Sequence, residues 1–92
     1  LSVMGVLNEF NPDLLLLDVM MPGITGFEVC KKLRSGDRWR DLPIIFLTAQ
    51  TDLSSRITAY EAGADDYLPK PVINVELLTR VKARLEKARE LR

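Results

Sequence analysis

Apolar residues along this chain cluster in short segments, and their spacing changes from one segment to the next. In LSVMGVLNEF the apolar residues recur at helical spacing, which predicts a helix over residues 1–11: Val3, Val6, Leu7 and Phe10. The segment DLLLLD, at residues 13–18, then carries four consecutive leucines. An unbroken apolar run of this kind is typical of a strand that is buried on both faces of a parallel sheet.

The middle of the chain alternates loop, helix and strand. MPGITG, at residues 21–26, has the composition of a turn and predicts a loop. TGFE has the form of a capping box, with Thr25 as the helix N-cap and Glu28 three residues later. This pattern predicts a helix over Gly26–Ser35, and the apolar segment PIIFLTA after it predicts a second buried strand.

Three further elements continue the alternation. Residues 52–62 have helical spacing, DYLPKP at residues 66–71 predicts a short third strand, and residues 74–92 form a last helix. The order is therefore helix, strand, helix, strand, helix, strand, helix. Helices between strands are typical of right-handed parallel crossovers, so we predict an α/β fold with an open parallel sheet.

The composition fits one small domain and argues against several kinds of site. The chain has 92 residues, 13 Lys and Arg, 13 Asp and Glu, and no histidine. Balanced charge gives no general attraction to nucleic acid or to an anionic membrane, and no apolar run approaches the length of a membrane span. Cys30 is the single cysteine, so an internal disulfide is impossible and a Cys/His zinc site is not expected. We expect a cytoplasmic protein.

Polar side chains end the three predicted strands. In an open parallel sheet the carboxyl ends of the strands meet at one edge, where ligands bind. We expect Asp18, Thr48 and Lys70 to meet there, beside the backbone amide of Ala49. Asp18 could be a nucleophile that accepts a phosphoryl group, with Lys70 neutralising its charge. Each residue alone also fits a turn, a strand end or a solvated surface, so the prediction depends on their occurring together.

Three separated motifs resemble one protein family. PDLLLLDVMMPGITGFEVCKKLR, PIIFLTA and EAGADDYLPKP are similar, in order and in spacing, to the receiver domains of bacterial two-component response regulators. The resemblance covers nearly the whole chain and implies one receiver domain over residues 1–92 with flavodoxin-like topology. It also implies that Asp18 is the phosphoacceptor, Thr48 the switch hydroxyl and Lys70 the phosphate-binding lysine.

The resemblance implies further roles around the phosphoacceptor. Tyr67 matches the aromatic residue that swings inward on switching, and the backbone carbonyl of Met20 matches a ligand of Mg²⁺ beside Asp18. The side chains of Met20 and Gln50 lie where the family tunes autodephosphorylation, and the peptide bond before Pro71 is expected to be cis. The implied partners are a histidine kinase or phosphotransfer protein, and an output domain or partner protein that responds.

The chain departs from the family at its start. A complete receiver begins with a strand that ends in an acidic pair, and those carboxylates bind Mg²⁺. Here only 17 residues precede Asp18, and they fit the family's second helix, residues 1–11, plus a turn. We therefore expect a topology that is incomplete at the N-terminus, with Mg²⁺ binding that is weak or absent. The strand Leu14–Leu17 would be an uncovered apolar edge that pairs with another copy or with a complementing chain.

The last helix, residues 74–92, leaves two interpretations open. Four of its apolar residues follow the spacing of a coiled-coil seam: Leu78, Val81, Leu85 and Ala88. Such a seam would extend the helix as a linker toward an output domain or as a dimer contact, whereas the same residues also fit an ordinary final helix. Basic and acidic side chains alternate along this tail, so we expect a solvated face without direct contact to nucleic acid.

Three functions fit these features. The leading one is a phosphorylatable signalling module, not a conventional enzyme, that changes partner binding through the helix at residues 52–62. A haloacid-dehalogenase-type phosphatase also uses an aspartyl intermediate, but it carries a second aspartate where this chain has Met20. A receiver-like scaffold that works without phosphorylation is the alternative, because the acidic pair is absent.

Overall fold

The computed structural model describes Leu7, residues 9–49 and residues 52–90. Within these ranges it contains three parallel strands, a two-stranded hairpin and three helices, and the predicted α/β fold is confirmed. In chain order the elements are β1 Leu15–Asp18, β2 Met20–Met21, β3 Ile24–Thr25, α1 Gly26–Ser35, β4 Ile44–Thr48, α2 Leu53–Glu61, β5 Asp66–Pro69 and α3 Asn74–Glu90.

The helix predicted at the start of the chain is described only at its end. Leu7, Glu9 and Phe10 are helical. Asn11 follows with a φ of 50°, and its N–H donates to the carbonyl oxygen of Leu7 at 2.8 Å. Some predicted positions lie outside the described residues: residues 1–6, Asn8, Gln50 and residues 91–92.

The strands β1, β4 and β5 form one parallel sheet, in which β4 lies at the centre and β1 and β5 on either side. In register, Leu16 lies beside Ile45, and Phe46 lies beside Tyr67. Because the three strands run in the same direction, their carboxyl ends meet at one edge of the sheet. This is the edge at which the candidate residues were predicted to assemble.

Side-chain caps fix the starts of α1 and α2. The hydroxyl oxygen of Thr25 accepts the backbone N–H of Glu28 at 3.2 Å, and the Thr25 hydroxyl donates to the Glu28 carboxylate at 3.3 Å. A carboxylate oxygen of Asp52 accepts the N–H of Ser55 at 2.9 Å. These bonds satisfy N–H groups that have no partner inside a helix. The predicted N-cap and the predicted bounds of α1 are confirmed.

The segment after Asp18, predicted as a loop, forms a β-hairpin instead. β2 and β3 pair antiparallel, with Met20 beside Thr25. Pro22 and Gly23 make the turn, and Gly23 adopts a φ of +79°, which glycine reaches without strain. The loop prediction was wrong because strands of two residues have no hydrophobic period in the sequence.

The two faces of the sheet are covered to different extents. On one face, Leu17 and Phe46 pack with residues of α1 and α2, such as Cys30, in the main hydrophobic core. On the other face, Asp66 of β5 forms an ion pair with Arg80 of α3. No residue of α3 is buried. Among the described residues no helix is long and apolar enough to cross a membrane.

The leucine run of β1 is buried on one face only. Leu17 is 6% exposed in the main core, whereas Leu16, whose side chain points to the opposite face, is 42% exposed. Within the described part of the chain only β4 pairs with β1. Among the described residues the prediction of burial on both faces was wrong at Leu16, because α3, the described helix on that face, packs loosely and has no buried residue.

Arg34, near the end of α1, holds the amino ends of β4 and β5. Its guanidinium donates at 2.7–3.2 Å to four backbone carbonyl oxygens, those of Trp39, Arg40, Leu42 and Gly63. It also pairs with Asp65 at 3.0 Å, and the same carboxylate accepts the N–H of Ile44 at 2.8 Å. One side chain thus joins α1 to the loop before β4 and the loop before β5.

Candidate functional site at the carboxyl ends of the strands

Asp18, Thr48 and Lys70 lie together where β1, β4 and β5 end. The ammonium of Lys70 donates directly to Asp18 Oδ2, and the backbone N–H of Met20 donates to Asp18 Oδ1 at 3.2 Å. The backbone N–H of Lys70 donates to the carbonyl oxygen of Thr48 at 2.8 Å, which anchors the lysine at the end of β4. The structure therefore brings together the carboxylate and the amine that the sequence assigned to one edge.

The Asp18 side chain is both charged and accessible. The hydrogen bond from Lys70 is the largest cause that lowers the pKa of Asp18 below its ordinary value of 3.8, and the N–H of Met20 adds to it. The side chains of Lys70 and Asp18 are 45% and 39% exposed. A carboxylate that is ionised at neutral pH and open to solvent can attack an electrophile that arrives from outside.

Thr48 and Tyr67 are buried residues on the neighbouring strands β4 and β5. Thr48 is 1% exposed and Tyr67 is 9% exposed. Burial raises the pKa of Tyr67 above 10.0, and the hydrogen bond with Thr48 opposes part of that rise. The side chain of Tyr67 therefore belongs to the main hydrophobic core in this structure.

Gly26 lets α1 approach the backbone of Asp18. The N–H of Gly26 donates to the carbonyl oxygen of Val19 at 2.7 Å. A Cβ at position 26 would overlap the carbonyl oxygen of Asp18 and would lie 2.7 Å from Cε1 of Phe46. A larger residue must therefore displace the main chain that carries the carboxylate.

The other predicted site residues lie around this edge. Ala49 follows β4 directly and is exposed, and Met20 in β2 is 63% exposed. The peptide bond between Lys70 and Pro71 is cis. Gln50 is outside the described residues, so Met20 is the one predicted tuning side chain that the structure positions.

The described residues offer few ligands for a divalent cation. Asp18 and the backbone carbonyl of Met20 are the predicted ones, and residues 7, 9–49 and 52–90 contain no cluster of three Asp, Glu, Cys or His that could hold a metal. Mg²⁺ is usually bound through one or two carboxylates together with phosphate oxygens and waters. The Asp18 carboxylate and the Met20 carbonyl thus fit an ion whose remaining ligands are phosphate oxygens and waters.

Asp66 is a buried carboxylate that the sequence patterns did not single out. It is 4% exposed, accepts the N–H of Tyr67 at 3.0 Å, and pairs with Arg80 at 3.3 Å. Arg84 lies 3.8 Å from the same carboxylate. These contacts attach α3 to β5 next to Tyr67. The four-residue spacing of the two arginines, which places them on one helix face, is the signal that could have revealed them.

Comparison with known proteins decides the family. The sequence model of the response regulator receiver domain matches residues 1–82. The chain belongs to the response regulator receiver domain family. Members of this family are modules of two-component signalling in which phosphorylation is characteristic, and the family is not one of conventional enzymes. The family predicted from the sequence motifs is confirmed.

Two curated relatives show how much of a longer protein the chain matches. It is 54% identical over 80 residues to the response regulator MprA of Mycobacterium leprae, which is 86% of this chain and 34% of MprA. It is 49% identical over 84 residues to protein RcaC of Microchaete diplosiphon, which is 91% of this chain and 13% of RcaC. The chain thus spans about a third or less of the length of these relatives.

Solved receiver domains have the same fold. The BeF3-activated N-terminal receiver domain of Klebsiella pneumoniae RstA gives a TM-score of 0.81 at 35% identity, over 90% of this chain and 68% of that one. The receiver domain of a signal transduction histidine kinase from Syntrophus aciditrophicus gives 0.81 at 34% identity, over 91% and 64%. The predicted flavodoxin-like topology is confirmed by this likeness.

Proposed function

We propose that this receiver domain is a phosphoacceptor in which Asp18 takes a phosphoryl group from the phosphohistidine of a histidine kinase or phosphotransfer protein. A carboxylate oxygen of Asp18 attacks the phosphorus and forms an O–P bond. The P–N bond breaks with its electron pair on the imidazole, which takes a proton from water. The proposal is carried by the charged, accessible Asp18 side chain held against Lys70 at the carboxyl ends of the strands.

Groups beside Asp18 would stabilise the transferred phosphoryl group. The ammonium of Lys70 has three N–H donors, so it can follow the negative charge from the carboxylate to a phosphoryl oxygen. The hydroxyl of Thr48 and the backbone N–H of Ala49 are two further donors at the end of β4. Such a set suits phosphoryl transfer, which depends on positioning and charge neutralisation more than on proton transfer.

A magnesium ion would be held by the Asp18 carboxylate and the backbone carbonyl of Met20. When bound, Mg²⁺ supplies positive charge that lets an anionic donor approach an anionic carboxylate. The exposed side chain of Met20, together with that of Gln50, would control how water reaches phosphorylated Asp18 and thus the rate of autodephosphorylation.

Phosphorylation of Asp18 would change the binding of an output domain or partner protein by altering α2. Movement of the Thr48 hydroxyl toward a phosphoryl group would change its hydrogen bond with Tyr67. Only Ala59 of α2 is buried, and weak packing of this kind gives a helix low local stability. The helix also exposes three apolar side chains that a partner can contact: Leu53, Ile57 and Tyr60.

A receiver-like scaffold that works without phosphorylation is the second candidate. It is favoured by the absence, from the described part of the chain, of a carboxylate cluster for a divalent cation. In this alternative Asp18 and Lys70 form only an exposed ion pair, which contributes about 0–1 kcal/mol to stability.

Beryllofluoride, which mimics a bound phosphoryl group, separates the two candidates. The protein is titrated with beryllium fluoride and Mg²⁺ and is followed by amide NMR. The phosphoacceptor predicts shifts at Thr48, Ala49 and Tyr67 in the wild-type protein and none in Asp18→Asn.

The matched control is Asp37→Asn, at a surface aspartate whose side chain is 97% exposed, and it should respond as the wild type does. A folded wild-type protein that shows no shifts at the end of β4 would contradict the phosphoacceptor and support the scaffold.

A further inference from the structure

The two ends of α2 are held in different ways. Towards its C-terminal end Ala59 is fully buried in the main core, and the Sγ of Cys30 donates to the carbonyl oxygen of Ala62 at 3.3 Å. The Nε of Arg34 donates to the carbonyl oxygen of Gly63, just after the helix, at 2.9 Å. Packing and hydrogen bonds from α1 therefore fix this end of α2.

The first turn of α2 is held mainly by its own cap. Within this helix, all of which the structure describes, Ala59 is the one buried residue, and Leu53 is 66% exposed. The carboxylate of Asp52 accepts both the N–H and the hydroxyl of Ser55, each at 2.9 Å. The carbonyl oxygen of Asp52 accepts the N–H of Arg56 at 3.2 Å. The position of this turn therefore depends more on Asp52 than on packing.

This cap lies close to both residues that the family resemblance assigns to switching. Along the chain, only residues 49–51 separate Asp52 from Thr48 at the end of β4. In space, the charges of Asp52 and Arg56 both act on the buried phenol of Tyr67 in β5: the carboxylate raises the pKa of Tyr67, and the guanidinium lowers it. A change at Thr48 or at Tyr67 therefore occurs beside the cap.

We propose that Asp52 is a positioning residue of the switch, whose cap holds the first turn of α2 in its resting position. Movement of Thr48 toward a phosphoryl group on Asp18 displaces the short link after β4 and breaks the cap. The end of α2 that Cys30 and Arg34 hold stays in place, so the helix moves mainly at its first turn. This inference rests on the proposed phosphoacceptor role of Asp18.

The cap is suited to this role because it is local and can be exchanged. Asp52 has an extended backbone, with φ of −69° and ψ of 154°, and its carboxylate reaches Ser55 only while that conformation persists. Asp52 is exposed, so water hydrates the carboxylate when the cap breaks. Loss of a typical N-cap changes a conformational equilibrium by about fivefold. Such a cap biases the switch toward the resting state without preventing it.

Three variants separate the cap from the charge of Asp52. Asp52→Ala removes the cap, whereas Asp52→Asn removes the charge and keeps a side chain that caps helices about as well. Ser54→Ala, at an exposed residue of the same turn, is the matched control. Each protein is titrated with beryllium fluoride in the presence of Mg²⁺ and is followed by amide NMR.

Asp52→Ala should bind beryllofluoride about fivefold more tightly than the wild type, because its resting state has lost the cap that the bound state gives up. Asp52→Asn and Ser54→Ala should stay within about twofold of the wild type. A cap that only stabilises the fold would lower the stability of Asp52→Ala and leave this affinity unchanged.

The amide signal of Ser55 reports the cap itself. In the wild type, beryllofluoride should move it toward its position in Asp52→Ala, whereas the amide signal of Gly63, at the fixed end of α2, should move little. If Asp52→Ala does not fold, this measurement decides, and a Ser55 signal that stays in place while that of Thr48 shifts would overturn the inference.

The affinities also separate this inference from the proposed function. Equal affinity of the wild type and Asp52→Ala, with shifts at Thr48 in both, would overturn the inference and leave the phosphoacceptor intact. Equally tighter binding in Asp52→Ala and Asp52→Asn would also overturn it, because charge rather than capping would then set the affinity. A folded wild-type protein that shows no shifts at all would contradict the phosphoacceptor, and the inference would fail with it.

Discussion

The strand β5 is flanked by two acid–base pairs that are held in different ways. Before it, Arg34 pairs with Asp65 and also donates to four backbone carbonyl oxygens. After it, Lys70 pairs with Asp18, whose other donors are backbone N–H groups such as that of Met20. The Arg34 side chain is 19% exposed, whereas that of Lys70 is 45% exposed.

This difference shows that stabilising contacts and candidate reactive groups lie at opposite ends of the same strands. Moving Arg34 would leave several carbonyl oxygens and a carboxylate without their donor, and each loss costs free energy. Lys70 has spare N–H donors and an open side, so it can exchange a carboxylate for a phosphoryl oxygen at little cost. Contacts at the amino ends of the strands therefore stabilise the fold, whereas the hydrogen bonds at the carboxyl ends can be exchanged at a small cost in free energy.

The largest expected difference between the two ion pairs is in the free energy of unfolding that is lost when the arginine or the lysine is replaced. Arg34→Met should lower the free energy of unfolding by about 2–3 kcal/mol, because charged hydrogen bonds are lost from a site that is largely buried. Lys70→Met should change it by less than about 1 kcal/mol, because that pair is exposed. Urea unfolding of both variants at one protein concentration measures the difference. Equal losses of stability would break the comparison.

Replacing Gly26, which lies against the main chain of Asp18, should affect both stability and the response of the site to beryllofluoride. Gly26→Ala should lower the free energy of unfolding by about 2 kcal/mol, because the new Cβ meets the main chain of Asp18. It should also weaken the NMR response to beryllofluoride. Gly36→Ala is the control, because a Cβ there meets only the carbonyl oxygen of Leu33, at 3.9 Å. If the two alanine variants show the same stability and the same NMR response to beryllofluoride, the close approach of α1 does not position Asp18.

The ionisation of Asp18 should depend on Lys70. Because Lys70 lowers the pKa of Asp18 below 3.8, the stabilisation from this pair is present above that pH. It is lost as the pH falls through the lowered pKa. In Lys70→Met the pKa of Asp18 should rise toward 3.8. The pH titration of the Asp18 carboxyl carbon by NMR measures both values, and an unchanged midpoint would contradict the role given to the lysine.

The smallest expected effect concerns the buried pair behind the acceptor. In a Tyr60→Phe background Tyr67 is the one remaining tyrosine, so phenolate absorbance reports its pKa alone. Burial should hold that pKa above 10.0, and Thr48→Val should raise it further, because the bond with Thr48 lowers it. A lower pKa of Tyr67 in Thr48→Val would show that the two hydroxyls are not coupled as described.

The sequence predicted those features that depend on local chemistry or on a general rule of the fold. α1 has its predicted bounds, Gly26–Ser35, because Thr25 and Glu28 form the cap within four residues of chain. Asp18 and Lys70 meet because parallel strands bring their carboxyl ends to one edge. The roles of these two residues in phosphoryl transfer stay predictions that the experiments above test.

Features that depend on contacts between distant segments were not predicted from the sequence. Leu16 and Leu17 are identical in type, but the exposure of each depends on which strands and helices lie beside it. The acceptors of Arg34 are backbone carbonyl oxygens, which every residue has and which leave no mark in a sequence. The hairpin that begins at Met20 was missed because its strands are too short to show alternation.

Transfer of a phosphoryl group to Asp18 is the most direct test of the central claim. The protein is incubated with acetyl phosphate and Mg²⁺. The intact mass shows whether a phosphoryl group has been added, and peptide mapping locates it. We expect one phosphoryl group on Asp18 in the wild-type protein and in Arg34→Lys, whose substitution lies at the other end of the sheet.

Phosphorylation should be at least about tenfold slower in Lys70→Met, because the charge that stabilises the transferred group is removed, and it should not occur at position 18 in Asp18→Asn. A folded wild-type protein that gains no phosphoryl group, or that gains it on a residue other than Asp18, would contradict the account.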